Sequence, residues 1–83
     1  MFKRRSEIQI IGEILDLSKR GAKKTEILYR SNMSYSQLEH YLSFLLEKNI
    51  VEENFILNEK AKPTMIFVTT EKGNKLLDDI INL

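Results

Sequence analysis

The side chains able to do chemistry in this chain are few, and their spacing is wrong for catalysis. The lone histidine, His40, has no cysteine and no second histidine near it. A transition-metal site needs several such donors in reach of one point. Asp78 and Asp79 are sequence neighbours in a segment of helical periodicity. Adjacent residues on a helix project in different directions, so these carboxylates do not face each other across a substrate. The three glycines are scattered and form no phosphate-cradling loop. No enzyme activity, metal, cofactor or small-molecule ligand is expected.

Hydrogen bonding and charge remain. Ser34, Tyr35, Ser36, Gln37 and His40 gather at the start of a helical segment. A glutamine amide there can pair with both edge atoms of an adenine, and serines can bond bases or phosphates. Tyr35 is better suited to a phosphate, which positions a helix without reading sequence. The plainer reading is that Ser34 and Gln37 only cap the helix, and both readings can hold for Ser34. Lys23 and Lys24 precede another helix start. The free amides there, two ammonium groups and the Thr25 hydroxyl form an anion site suited to a phosphate, or simply an exposed basic turn. Lys60 and Lys62 sit in a polar turn, where they either flank a minor groove or serve solubility. Lys3, Arg4 and Arg5 suggest a basic arm along a nucleic-acid backbone.

The charge count refines this picture. The net charge is only +1, with 13 basic and 12 acidic residues, but the charges are unevenly placed. Residues 1–30 hold most of the basic excess, whereas residues 31–57 carry only Lys48 against Glu39, Glu47, Glu52 and Glu53. The positive field is therefore expected on the first two helices and their turn, away from the acidic group.

These residues need rigid elements to position them. Ser6-x-x-Gln9 fits a capping box, opening a first helix from about Ser6 to Arg20, with Gly21 as its stop. It carries two apolar stripes, Ile8/Ile11/Leu15 and Ile10/Ile14/Leu17, wider than one core face requires. A second helix spans about Lys24 to Arg30, with Ile27 and Leu28 inward. After the break Ser31-Asn32-Met33-Ser34, a third begins with the capping box Ser34-x-x-Gln37. It turns Leu38, Tyr41, Leu42, Leu45 and Leu46 inward and stops at Asn49. Thr25 to Val51 thus has the outline of a helix-turn-helix. From Ile50 the period changes to two. Ile50 to Leu57 reads as a strand, irregular near Glu52-Glu53-Asn54, and Thr64 to Thr69 as a second, joined by a turn with a basic tip. Thr70 caps a fourth helix from about Glu71 to Asn82. The fold class expected is α+β: a winged helix-turn-helix with three helices, a β-hairpin wing and a C-terminal helix.

Eighty-three residues make a single domain, 1–83, with a small core. The absence of cysteine excludes a disulfide framework. No apolar run spans a bilayer, and the apolar residues after the basic start are interrupted by Glu7, Gln9, Gly12 and Glu13. A cytoplasmic, nucleoid-associated protein is expected.

The segments Lys24-Thr25-Glu26-Ile27-Leu28-Tyr29, Asn32-Met33-Ser34-Tyr35, Tyr41-Leu42-x-x-Leu45-Leu46-Glu47-Lys48-Asn49-Ile50-Val51 and Thr69-Thr70-Glu71-Lys72-Gly73 resemble small archaeal winged-helix DNA-binding proteins, which include dimeric chromatin-associated ones of about ten kilodaltons. The resemblance covers nearly the whole chain. It departs in two places: Asn49 stands where the family usually has glycine, and the last helix is too short for the long coiled coil of the chromatin-associated members. The resemblance implies a DNA-binding transcriptional regulator with double-stranded DNA as partner and the third helix, about residues 35–48, in the major groove. The wide stripes on the first and last helices add a homodimer, with Ile10, Ile14, Leu17, Leu77, Ile80 and Ile81 as interface candidates. A protein–protein interaction module and a sequence-independent chromatin protein are the alternatives.

Overall fold

The structure is a computed structural model and describes residues 6–82. The element order is α1 (Glu7–Leu17), α2 (Lys24–Ser31), α3 (Tyr35–Glu47), β1 (Val51–Leu57), β2 (Pro63–Thr69) and α4 (Glu71–Ile81).

Local chemistry sets the helix boundaries. At α1 the capping box is complete: Ser6 Oγ accepts from Gln9 N at 3.1 Å, and Gln9 Oε1 accepts from Ser6 N at 2.9 Å. The helix ends at Leu17, short of the expected Arg20. The cause is the end of β2, which takes over the last carbonyls. Thr69 Oγ1 donates to Leu15 O at 2.7 Å, and Thr69 N donates to Ser18 O at 3.0 Å. Gly21 (φ +90°) reverses the chain beyond that point. At α3 the second capping box forms as the spacing predicts. Its C-terminus closes through Asn49 at φ 58°, with Asn49 N to Leu46 O at 3.1 Å and Ile50 N to Leu45 O at 2.9 Å. This is the paired-bond pattern of a Schellman stop, with asparagine in the left-handed position usually held by glycine.

The hairpin pairs without interruption from Val51↔Thr69 to Leu57↔Pro63. The irregularity expected near Glu52-Glu53-Asn54 does not occur. All three side chains are exposed, so they ask nothing of the ladder, and Asn54 Nδ2 bonds Glu52 Oε1 at 3.4 Å. Ile50 is not part of β1, because its amide is committed to the α3 stop. A third piece of the sheet was not legible in the sequence. Ala22, between α1 and α2, bridges Phe67 with bonds of 3.0 and 2.8 Å, so β2 is paired on both sides.

The core lies where α1, α2 and α3 meet the base of the hairpin and α4. Ile14, Leu15, Ile27, Leu38 and Leu45 are fully buried, with Val51, Phe67 and Leu77 closing it. Gly73 permits the close seating of α4: a Cβ there would lie 2.2 Å from Ile50 O. Among the described residues no helix is long and apolar enough to cross a membrane.

The α1–α4 contact corrects part of the expected interface. The two helices pack on each other within one chain. Ile14 is 0% exposed, Leu77 2%, and Ile10 is also core, so these three have no surface to give a partner. The stripe was too wide because one chain uses most of it. Leu17 and Ile80 are half-buried, while Ile8 (49%) and Ile81 (65%) stand out.

Candidate nucleic-acid interface

Helix α3 buries Leu38, Leu42 and Leu45, so its opposite face must look outward. On that face and at the helix start, Ser34, Tyr35, Ser36, Gln37 and His40 are all exposed, and Ser43 and Glu47 extend the row. The row is polar and nearly uncharged over its first two turns, and it stands on a helix capped at both ends. Tyr41 is half-buried and holds the His40 ring edge-on, with centroids 5.6 Å apart.

Gln37 is partly occupied. Its Oε1 accepts from Ser34 N at 3.2 Å, and its backbone N–H donates to Ser34 Oγ at the same distance. The capping reading of Ser34 and Gln37 thus holds geometrically. The side-chain NH2 of Gln37 has no partner among the described bonds, and the cap uses one of the two lone pairs of Oε1.

The structure separates the three residues expected to form one anion site before α2. Lys24 turns toward α3. Its ammonium is ion-paired with the Glu39 carboxylate, donates to Tyr35 Oη at 3.3 Å and lies 4.9 Å from the Tyr35 ring centre. Lys23 turns toward the wing and lines a shallow concavity with Ile56, Leu57, Asn58, Lys60 and Thr64, to which Glu59 adds a carboxylate. Thr25 faces a third direction, beside Glu26, Tyr29 and Arg30. The N-terminus of α2 also has its own carboxylate, since Glu26 Oε1 accepts from Lys23 N at 3.2 Å. The expected three-residue phosphate site is therefore not assembled.

A different pairing replaces it. Lys23 and Lys60, far apart in sequence, share one concavity between the start of α2 and the wing tip. The tip that carries Lys60 and Lys62 is ordered by Asn58, whose Oδ1 accepts from both lysine amides at 2.9 and 3.0 Å. Ala61 takes a left-handed φ of 56° inside that turn. Lys3, Arg4 and Arg5 lie outside the described residues. Sequence reasoning also missed Glu39 as the partner of Lys24, because a fifteen-residue separation carries no periodic signal. It missed the apolar wing surface too, where Phe55 (70%) and Leu57 are exposed.

A sequence profile of the winged helix-turn-helix family matches residues 4–83. The chain belongs to that family. An uncharacterized protein of Methanocaldococcus jannaschii, MJ0287, is 32% identical over 81 residues, spanning 96% of this chain and 74% of that protein. Among solved structures, a possible transcriptional regulator from Methanosarcina mazei superposes with a TM-score of 0.59 at 13% identity. That match covers 88% of this chain, which spans only 62% of the larger protein. At that identity the likeness concerns the fold. Both similar proteins are archaeal, as the sequence resemblance implies. In winged-helix terms, α2 and α3 form the helix-turn-helix, the β1–β2 hairpin is the wing, and the Ala22 bridge to Phe67 ties the wing to the helices.

Proposed function

We propose that this winged helix is a DNA-binding transcriptional regulator that acts as a homodimer and lays α3 in the major groove. The observation that carries the reading is the outward face of α3. Ser36, Gln37 and His40 form an exposed, hydrogen-bonding, nearly neutral row on a rigid helix, which suits base edges. Attraction to the backbone then falls to neighbouring cations: Lys23 with Lys60, and Lys62 at the tip of the wing. The acidic residues Glu47 and Glu52 are exposed at the other end of α3, away from the helix start. The possible transcriptional regulator that shares this fold supports the same reading.

A sequence-independent chromatin role fits less well. Non-specific affinity grows with the number of neutralised phosphates, and a chain of net charge +1 that spends Lys24 on Glu39 has few cations to offer. A protein-docking role has one observation in its favour, the exposed Phe55, Ile56, Leu57 and Met65 on the wing.

Binding isotherms on selected and random duplexes at several salt concentrations test the proposal. A selected sequence is expected to bind at least tenfold more tightly than random duplex. Gln37→Ala and His40→Ala are expected to erode that ratio, and Lys23→Glu to weaken binding to every duplex. Unchanged affinity in all three variants would sink the DNA reading.

A further inference from the structure

We infer that Glu39 tunes overall DNA affinity by competing with DNA phosphate for the Lys24 ammonium. This rests on the DNA reading and names a regulating residue within that same surface.

Three contacts converge on one ammonium. Lys24, in the first turn of α2, is ion-paired with Glu39 on α3, donates to Tyr35 Oη at 3.3 Å and lies 4.9 Å from the Tyr35 ring. The Lys24 and Glu39 side chains are only 29% and 42% exposed, so the pair is partly sheltered from solvent screening. Glu39 sits between the outward residues Gln37 and His40 in sequence, and Tyr35 is the first residue of α3. The cation nearest the start of the recognition helix is thus neutralised by a carboxylate from that same helix.

The consequence is electrostatic. A lysine that contributes to non-specific affinity does so by displacing counterions from a phosphate. The Glu39 carboxylate already offsets the charge of Lys24 and itself repels the backbone, so the pair neutralises little phosphate charge. Glu39 therefore lowers affinity for every duplex while leaving the hydrogen-bonding row of α3 untouched. The ratio between selected and random duplexes is unchanged, because every duplex presents the same phosphate.

Glu39→Gln is nearly isosteric, removes the charge and leaves Lys24 free. Salt-dependent isotherms on selected and random duplexes, for wild type, Glu39→Gln, Lys24→Met and the double variant, test the inference, with thermal melts confirming that each is folded. Glu39→Gln is expected to tighten random-duplex binding roughly five- to tenfold at 100 mM salt and to steepen the salt slope by about 0.9, the increment of one added phosphate contact. Selected-duplex binding is expected to tighten by the same factor, so the ratio between the duplexes stays where it was. In the Lys24→Met background the same change is expected to leave the slope where it was. An equal gain in both backgrounds means that Glu39 acts only as a distant repelling charge, and overturns the inference. So does wild-type behaviour in Glu39→Gln. If neither wild type nor Glu39→Gln binds any duplex at low salt, the DNA-binding proposal itself has failed and this inference falls with it.

Discussion

Gln37 carries two jobs at once, and they can be separated by chemistry. Its Oε1 closes the capping box on Ser34, while the residue is exposed and its NH2 group has no partner among the described bonds. A glutamate at this position also closes a capping box, so Gln37→Glu keeps the helix start and its stability within about 1 kcal/mol. It replaces the outward donor with a carboxylate, which repels phosphate and reverses the hydrogen-bonding character. Gln37→Glu is therefore expected to melt like wild type while losing most affinity for the selected duplex; retained affinity would show that Gln37 is a cap and nothing more. Gly73 presents the opposite case, a residue with purely structural work. A methyl there would meet Ile50 O at 2.2 Å and Thr69 Cγ2 at 2.7 Å, and the first of these is backbone that cannot swing away. Gly73→Ala is expected to destabilise the fold by about 3 kcal/mol, at the upper end of overpacking costs. For a chain of this size that lowers the melting temperature by roughly 10 °C or more.

The elements were legible in the sequence to the extent that local signals set them. Ser6-x-x-Gln9 and Ser34-x-x-Gln37 are complete local devices, and both helices start where they say. Asn49 tolerates a left-handed φ, and α3 stops there. What escaped was non-local. Leu17 ends α1 because Thr69, more than fifty residues later, takes the last carbonyls. Ala22 bridges to β2 because Phe67 has a free edge, and no pattern in a single residue announces that. The candidate site divides the same way. The outward row of α3 follows from helical periodicity, whereas the ion pair of Lys24 with Glu39 and the pairing of Lys23 with Lys60 depend on how separate elements meet. That second pairing makes the wing an electrostatic element in this fold. Lys23→Ala and Lys60→Ala are each expected to reduce the salt slope by about 0.9 and to weaken all duplexes alike. A variant that changed the preference between duplexes would instead mark that lysine as a reader of bases.

At the scale of the whole molecule the question is what covers the outer side of α1 and α4. Most of the apolar stripe is spent inside one chain, since Ile10, Ile14 and Leu77 are core. The remainder is a narrower surface. Ile8, Ile11, Leu76 and Ile80 line one shallow, mostly apolar depression with Asp79, and Ile81, 65% exposed, lines a second one that shares Ile80. These residues, with half-buried Leu17 left outside them, are the revised interface of the proposed homodimer. A two-fold axis through this surface would carry both α3 helices on the sides away from it. Half-sites about 34 Å apart, one turn of duplex, would then be in reach of one dimer. Ile81→Asp adds a charge to this surface without entering the core, so the chain is expected to stay folded and to sediment as a monomer at tens of micromolar, where wild type sediments as a dimer. Ile14→Asp, by contrast, buries an unpaired carboxylate and is expected to abolish the cooperative melt. The monomeric Ile81→Asp should still bind a single half-site, with the loss confined to the gain that a second, linked helix supplies. If wild type itself sediments as a monomer, the dimer is withdrawn. The α3 face would then have to achieve selectivity from one helix and one wing.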